Sequence, residues 1–270
     1  MNNRNYILNT GSETEHRLSI LEKIYGEYTT KLFQEINFQK GMKVAVIGCG
    51  SGSGIEQIYK KIGKDGRILC VDISPEQTSL TKNILESKGI NNVDYVVADI
   101  EEYIGNSDYD VVYCRFVLIH LHNPIIALKN MLSFIKEKST IACEEHSYED
   151  IFNYPTSNAI DKYKTLLKKI SNILKLDYAF GKKLYYEMNL LDIDISYVKK
   201  CVPLCNSYDQ KTLLLLSLIE EKNHFISQNL LREGEIEGMI QEMKTIAKKK
   251  EIIQSPGSVF QCIGKKKSNH

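Results

Sequence analysis

The run from Val44 to Gly54 limits what this chain can fold into more than any other stretch. An apolar segment, Lys43 to Ile47, passes straight into glycines at Gly48, Gly50, Gly52 and Gly54. A continuous apolar run of this length suits a strand buried on both faces. Ile55 to Ile62 then reads as a helix. Glycine lets the backbone turn sharply and approach a ligand with no Cβ in the way, and the start of a helix offers unpaired N–H groups. Glycine turns also occur for purely structural reasons. Between a first buried strand and a helix, however, this one points to a nucleotide-type cofactor at the carboxyl edge of a sheet.

The alternation continues. Arg67 to Val71 reads as a strand ending at Asp72, and Ser74 with Pro75 opens a helix as its cap and first residue. That helix runs to about Ser87, and Gly89 marks its end. Val93 to Ala98 is a third strand ending at Asp99, and Tyr109 to Tyr113 a fourth. A helix from Pro124 to Lys136 precedes a fifth strand, Thr140 to Cys143. Strands separated by helices predict βαβ units and a parallel sheet covered on both faces. The pattern breaks after residue 145. Ile160 to Leu176, Lys211 to Gln228 and Glu235 to Lys249 read as amphipathic helices. Ile193 to Cys205 is β-rich, and Ser258 to Ile263 is a last strand.

Composition removes several classes of function. The 270 residues are 43% hydrophobic and 26% charged, which is ordinary for a globular protein. Lys+Arg 35 against Asp+Glu 34 leaves a net charge of +1, so no global field holds a polyanion or an acidic membrane surface. The Lys248–Lys250 and Lys265–Lys267 runs read as solvated charge. Seven cysteines without zinc-site spacing read as reduced and structural. Met1 to Tyr6 is polar and does not resemble a signal peptide, and Leu213 to Ile219 is far shorter than the ~20 residues of a membrane span. The expectation is a cytoplasmic protein with no metal, membrane or nucleic-acid partner.

The glycine register decides between cofactors. A dinucleotide fingerprint needs a third glycine three residues after the second. From Gly48 and Gly50 that position is Ser53, and from Gly50 and Gly52 it is Ile55. The run instead resembles the G-x-G-x-G turn of the class I S-adenosylmethionine-dependent methyltransferases. The stretch Tyr109 to Leu121 resembles that family's fourth motif. The resemblance is strong over about residues 40 to 145. It implies a Rossmann-like α/β fold, a doubly wound, seven-stranded, mostly parallel sheet with an N-terminal helical arm and helical cap insertions. It implies S-adenosylmethionine as cofactor. The turn Gly48, Cys49, Gly50 and Gly52 would wrap its methionine part, with Arg115 and Phe116 holding the same end. Asp72, with Ile73 and Gln77 following, would accept the ribose hydroxyls, although an acid at a strand end is equally often a cap or turn residue. Asp99 and Ile100 would meet the adenine. One departure stands out. The family usually has an acid two residues before the first glycine, where this chain has Val46.

Tyr6 and Leu8, with Glu15, Arg17 and Leu18, resemble an arm found in a subset of small-molecule methyltransferases. That resemblance implies a lid in which Tyr6 meets the cofactor, and Tyr6 and Arg17 the substrate; a helix docked only for stability is the other reading. Glu144, Glu145 and His146 follow the expected fifth strand. Glu145 and His146 are candidate substrate contacts, and His146 is the candidate general base; the alternative is the start of a solvated loop. His120 reads as structural. Aromatic residues from Tyr148 to Tyr186, including Tyr154 as a substrate contact, could line an acceptor pocket or form the cap's own core. The expected segments are an arm over 1–38, a cofactor core over 39–146, a cap over 147–192, and completion of the sheet with inserted helices over 193–270. The expected activity is methyl transfer to an O, N or C atom of a small molecule, with secondary metabolism as a setting. Alternatives are an RNA or protein methyltransferase, a non-catalytic cofactor-binding protein and a nicotinamide-dependent oxidoreductase.

Overall fold

In the computed structural model, which describes residues 12–268, the apolar run after Met42 is strand β1 (Lys43–Ile47) and the helix beyond its glycines is α2 (Ile55–Ile62), preceded by α1 (Ser12–Glu35). There follow β2 (Arg67–Asp72), α3 (Pro75–Ser87), β3 (Val93–Val97) and β4 (Tyr109–Arg115). A 3-10 turn (Leu118–His120), α4 (Pro124–Phe134) and β5 (Ile135–Tyr154) come next. The remainder is α5 (Asn158–Leu174), a second 3-10 turn (Phe180–Lys183), α6 (Leu184–Asn189), β6 (Ile193–Cys201), α7 (Tyr208–Ser227), α8 (Glu233–Lys248) and β7 (Ile253–Lys266). The local signals act as their chemistry dictates. Ser74 accepts the Gln77 N–H as the α3 cap with Pro75 behind it, and Gly89 beyond the helix is left-handed at φ 72°.

The seven strands form one sheet in the order β3-β2-β1-β4-β5-β7-β6. β1 runs parallel to β2 and β4, β2 to β3, and β4 to β5, whereas β6 and β7 are antiparallel. Strand order reverses between β1 and β4, the switch point beyond which open α/β sheets bind ligands. Side chains alternate across the sheet. Ala45, Ile47, Leu69 and Val112 pack on one face with Leu128, Met131, Phe134, Leu184 and Met188. Val44, Val46, Ile68 and Val111 pack on the other with Leu32, Phe33, Ile58, Ile62 and Leu85. Apart from Ala45, each such side chain contributes about 1.5–3 kcal/mol by leaving water. With helices on both faces, the strand ends are left to carry the site.

Two compact units are present. One comprises Tyr28–Ser147, Ala179–Cys201 and Val259–His270; the other comprises Met1–Glu27, Tyr148–Tyr178 and Val202–Ser258. The helical unit thus differs from the cap expected over 147–192. It takes in Val202–Ser258 and leaves out Ala179 onward, because Phe180, Leu184 and Met188 belong to the core on one face of the sheet. Within the helical unit the Tyr163 and Phe225 rings meet edge-on at 6.3 Å. The Tyr163 hydroxyl donates to Glu221 at 2.9 Å, and burial pushes the Glu221 carboxyl up to about 7.

Two strand expectations need correction. α4 ends at Phe134 rather than Lys136, and β5 runs from Ile135 to Tyr154, well beyond Thr140–Cys143. The extra length at its start carries an irregularity between Tyr109 and Val111 of β4, with Lys138 left-handed at φ 61°, as a bulge allows. At its end, Ile151 and Asn153 are buried while Phe152 and Tyr154 are exposed, a period-2 pattern hidden by the acids before it. The last strand begins at Ile253 rather than Ser258. Pro256, which has no N–H to give a ladder, lies inside β7.

Candidate active site

The glycine turn after β1 is tied to its neighbours by its own backbone. Gly48 and Cys49 donate to the Val71 carbonyl at 2.7 and 3.2 Å, and Gly52 donates to Cys49 at 2.8 Å. Gly48 is left-handed at φ 66°, and a Cβ on it would overlap the Val117 side chain. Glycine is required there on both counts. The Thr81 hydroxyl on α3 donates to the Gly50 carbonyl.

Asp72 ends β2 and holds the turn. Its Oδ2 accepts the Gly50 N–H at 2.8 Å and its Oδ1 accepts the Ser74 N–H at 3.0 Å. Burial pushes its carboxyl up, against those backbone bonds, which pull it down. The sequence reading gave this carboxylate to ribose hydroxyls; the structure adds that it joins the loops after β1 and β2. A carboxylate has about four acceptor sites, so two bonds inward leave two for a ligand. Ile73 is half-exposed beside it. The Gln77 amide oxygen is buried and accepts no hydrogen bond from the described residues.

Asp99 lies two residues past β3, where its Oδ1 accepts the Glu101 N–H at 2.9 Å, and Ile100 is buried. Arg115 ends β4 and donates from Nη1 to Ser53 Oγ at 2.8 Å, with its guanidinium 5.0 Å from the Phe116 ring centroid. Phe116 is left-handed at φ 56°, a conformation costing a non-glycine residue about 1–2 kcal/mol. Its N–H donates to the Glu144 carbonyl at 2.8 Å. The expected cofactor residues of this unit therefore all follow the carboxyl ends of β1 to β4, adjacent strands at one edge of the sheet. Val46 belongs to the core under that edge.

The three residues expected just after the fifth strand lie inside it. Glu144 is buried, accepting from Tyr113 Oη at 2.6 Å, Gln261 Nε2 at 2.6 Å and Thr29 Oγ1 at 3.3 Å. Burial holds its carboxyl above the usual range, opposed by Arg115 and these donors. Glu145 is also buried and accepts backbone N–H groups of Val117, Leu118 and Ile119. Its side chain serves the protein rather than meeting solvent, contrary to the reading as a substrate contact. Only His146 is partly exposed, its ring edge-on to Phe116 at 6.2 Å. The partners of Glu144 lie 115 and 117 residues away for Thr29 and Gln261, and no local pattern announces them.

The other expected residues fall elsewhere. Tyr6 lies outside the described residues. Arg17 and Tyr154 belong to the helical unit. Arg17 is buried and ion-paired with Glu220, and Tyr154 is 70% exposed. Of the aromatic set, Tyr148, Tyr163 and Tyr178 are buried in that unit, Phe180 packs in the sheet core, and Tyr185 and Tyr186 are exposed.

Comparison with known proteins matches this geometry. The model of a methyltransferase domain matches residues 38–192. The ubiquinone/menaquinone biosynthesis C-methyltransferase of Idiomarina loihiensis is 31% identical over 111 residues, 40% of this chain and 44% of that enzyme. The chain thus spans less than half of that relative. A methyltransferase candidate from Bacillus halodurans C-125 superposes with a TM-score of 0.61 at 12% identity, over 88% of this chain and 98% of that one. The geranyl diphosphate C-methyltransferase of Streptomyces coelicolor A3(2) gives 0.56 at 10% identity, over 95% and 85%. At such identities these two structures speak for the fold alone. With the family match covering more than half of its length, the chain belongs to the methyltransferase-domain family, with the Rossmann-like fold of the class I S-adenosylmethionine-dependent enzymes.

Proposed function

We propose that the protein transfers a methyl group from S-adenosylmethionine to an O, N or C nucleophile of a small molecule. The observation that carries this reading is the row of acceptors at one sheet edge. The Asp72 carboxylate retains unused lone pairs, Gln77 Oε1 is buried without a donor among the described residues, and Asp99 follows the next strand. A nucleoside, with ribose hydroxyls and an exocyclic amine, supplies the donors such a row lacks. The glycine turn leaves room for backbone contact with the methionine part, and carbonyls near Gly48 and Arg115 can accept from its ammonium. When bound, the donor supplies an electrophilic methyl carbon on a sulfonium sulfur, open to in-line displacement.

What the chain must then do is position the acceptor and accept a proton where the nucleophile carries one. His146 is the group suited to the second task, being partly exposed beside Phe116. Small acceptors are favoured by the balanced charge, which gives no footprint for nucleic acid. The quinone-pathway relative agrees with that preference. The test is incubation with methyl-labelled S-adenosylmethionine and a panel of phenols, amines and prenyl acceptors, read by mass spectrometry. Transfer to a small molecule supports the reading; transfer only to RNA or protein refutes it.

His146→Ala should lower turnover by about 10²–10⁴-fold with donor affinity nearly unchanged. The residual rate should climb with pH as the acceptor ionises unaided. A variant keeping most of the wild-type rate at neutral pH would show that His146 only shapes the site.

A further inference from the structure

Glu145 has no task among the contacts a donor would make, yet its carboxylate is the most heavily bonded group near that edge. At 0% exposure in β5, Oε1 accepts from Val117 and Leu118 N–H at 3.0 Å each, and Oε2 from Ile119 N–H at 3.4 Å. These amides open the 3-10 turn after β4, where no preceding carbonyl serves them. A carboxylate is the strongest acceptor for such a set.

The loop it grips touches both halves of the chemistry. Val117 occupies the space that a Cβ on Gly48 would need, so the loop bears on the glycine turn. Phe116 is held left-handed, and its ring meets the His146 imidazole edge-on at 6.2 Å. Without an anchor, a left-handed phenylalanine would relax and carry both contacts with it.

We propose that Glu145 is a positioning residue, which fixes the loop Phe116–Ile119 and through it sets the glycine turn and His146 for donor and acceptor. The inference rests on the reading of this edge as the donor site. It replaces a substrate contact with an internal clamp. Stability is given up for this arrangement, since burial pushes the Glu145 carboxyl up to about 7 against the pull of the three backbone N–H groups and the Cys114 thiol. From β4 the ionisable group facing it is that thiol, at 3.7 Å from Oε1. From the loop it meets backbone amides, and from the 3-10 turn Phe180–Lys183 the Gly181 backbone lies against its carbonyl. Its chain neighbours Glu144 and His146 leave β5 on the opposite face. Only the ionised form accepts with both oxygens, so the grip tightens as pH rises through neutrality.

Two measurements on the full chain decide it. The first is amide exchange at Val117 and Leu118 in the donor-free protein, wild type against Glu145→Gln. The amide places an N–H donor opposite the Ile119 N–H, and exchange at both positions should speed up at least about tenfold. The second is titration with S-adenosylhomocysteine from about pH 6 to about pH 8. Wild-type affinity should rise across that window, while Glu145→Gln should bind about tenfold more weakly at its upper end and lose most of the rise. The variant keeps the His146 imidazole, so a loss of the rise is read from residue 145 alone. Should Glu145→Gln not fold, Glu145→Asp carries the comparison: its carboxylate is drawn back by one methylene, and it should show faster exchange with the pH rise retained. Unchanged exchange overturns the proposal. Faster exchange with wild-type affinity and pH profile also overturns it, and leaves the donor reading intact. No binding by the wild type at any pH overturns both.

Discussion

Affinity for S-adenosylhomocysteine is expected to fall at least about a hundredfold in Asp72→Ala. Two separate losses add up to that figure. The carboxylate is expected to accept two ribose hydroxyls, each a charge-assisted bond of about 1.5–3 kcal/mol. It also accepts the Gly50 and Ser74 N–H groups at 2.8 and 3.0 Å, so its removal loosens the turn that must receive the methionine part. Asp72→Asn separates the two, because its amide oxygen still serves one backbone N–H while its nitrogen cannot accept from a hydroxyl. The order of affinities by calorimetry should be wild type, then Asn, then Ala. Wild-type affinity in Asp72→Ala would remove this residue from the site.

Glu144→Leu should cost about 3–5 kcal/mol of folding stability, the largest loss expected of any single substitution here. The leucine would leave the Tyr113 and Thr29 hydroxyls and the Gln261 amide without their shared acceptor. Orphaned buried donors, rather than the lost carboxylate itself, set the magnitude. The double variant Glu144→Leu with Tyr113→Phe should therefore be more stable than Glu144→Leu alone. Urea unfolding followed by circular dichroism reads both. A wild-type midpoint for Glu144→Leu would show that the four groups are satisfied without one another.

How much of this was legible follows from how far each signal reaches along the chain. The strands β1, β2 and β4, the Ser74 cap and the glycine turn are written in contiguous residues, and each lies where its pattern places it. The acceptor row could be read too, since strand-end acids need only the strands to be found. Glu144 and Glu145 could not. As two adjacent acids after a strand they read as a site edge with Glu145 on the substrate, or as the start of a solvated loop, and the donors that let them be buried come from Thr29, Tyr113, Gln261 and the loop after β4. The aromatic run from Tyr148 to Tyr186 was ambiguous for a related reason. One compositional signal covers residues that the fold sends to two different cores and to the surface. The helical unit shares this property, being assembled from three separated stretches of chain.

The edge built by Gly48, Asp72, Asp99 and Arg115 is proposed to take S-adenosylmethionine. This is tested most directly by thermal unfolding of the wild-type protein with S-adenosylmethionine, and separately with NADH. A ligand at a hundred times its dissociation constant adds about 2.7 kcal/mol to the folded state, which S-adenosylmethionine should provide and NADH should not, because the glycine register offers no pyrophosphate cradle. Stabilisation by NADH with no response to S-adenosylmethionine would place a dinucleotide at this edge and rule out the sulfonium donor.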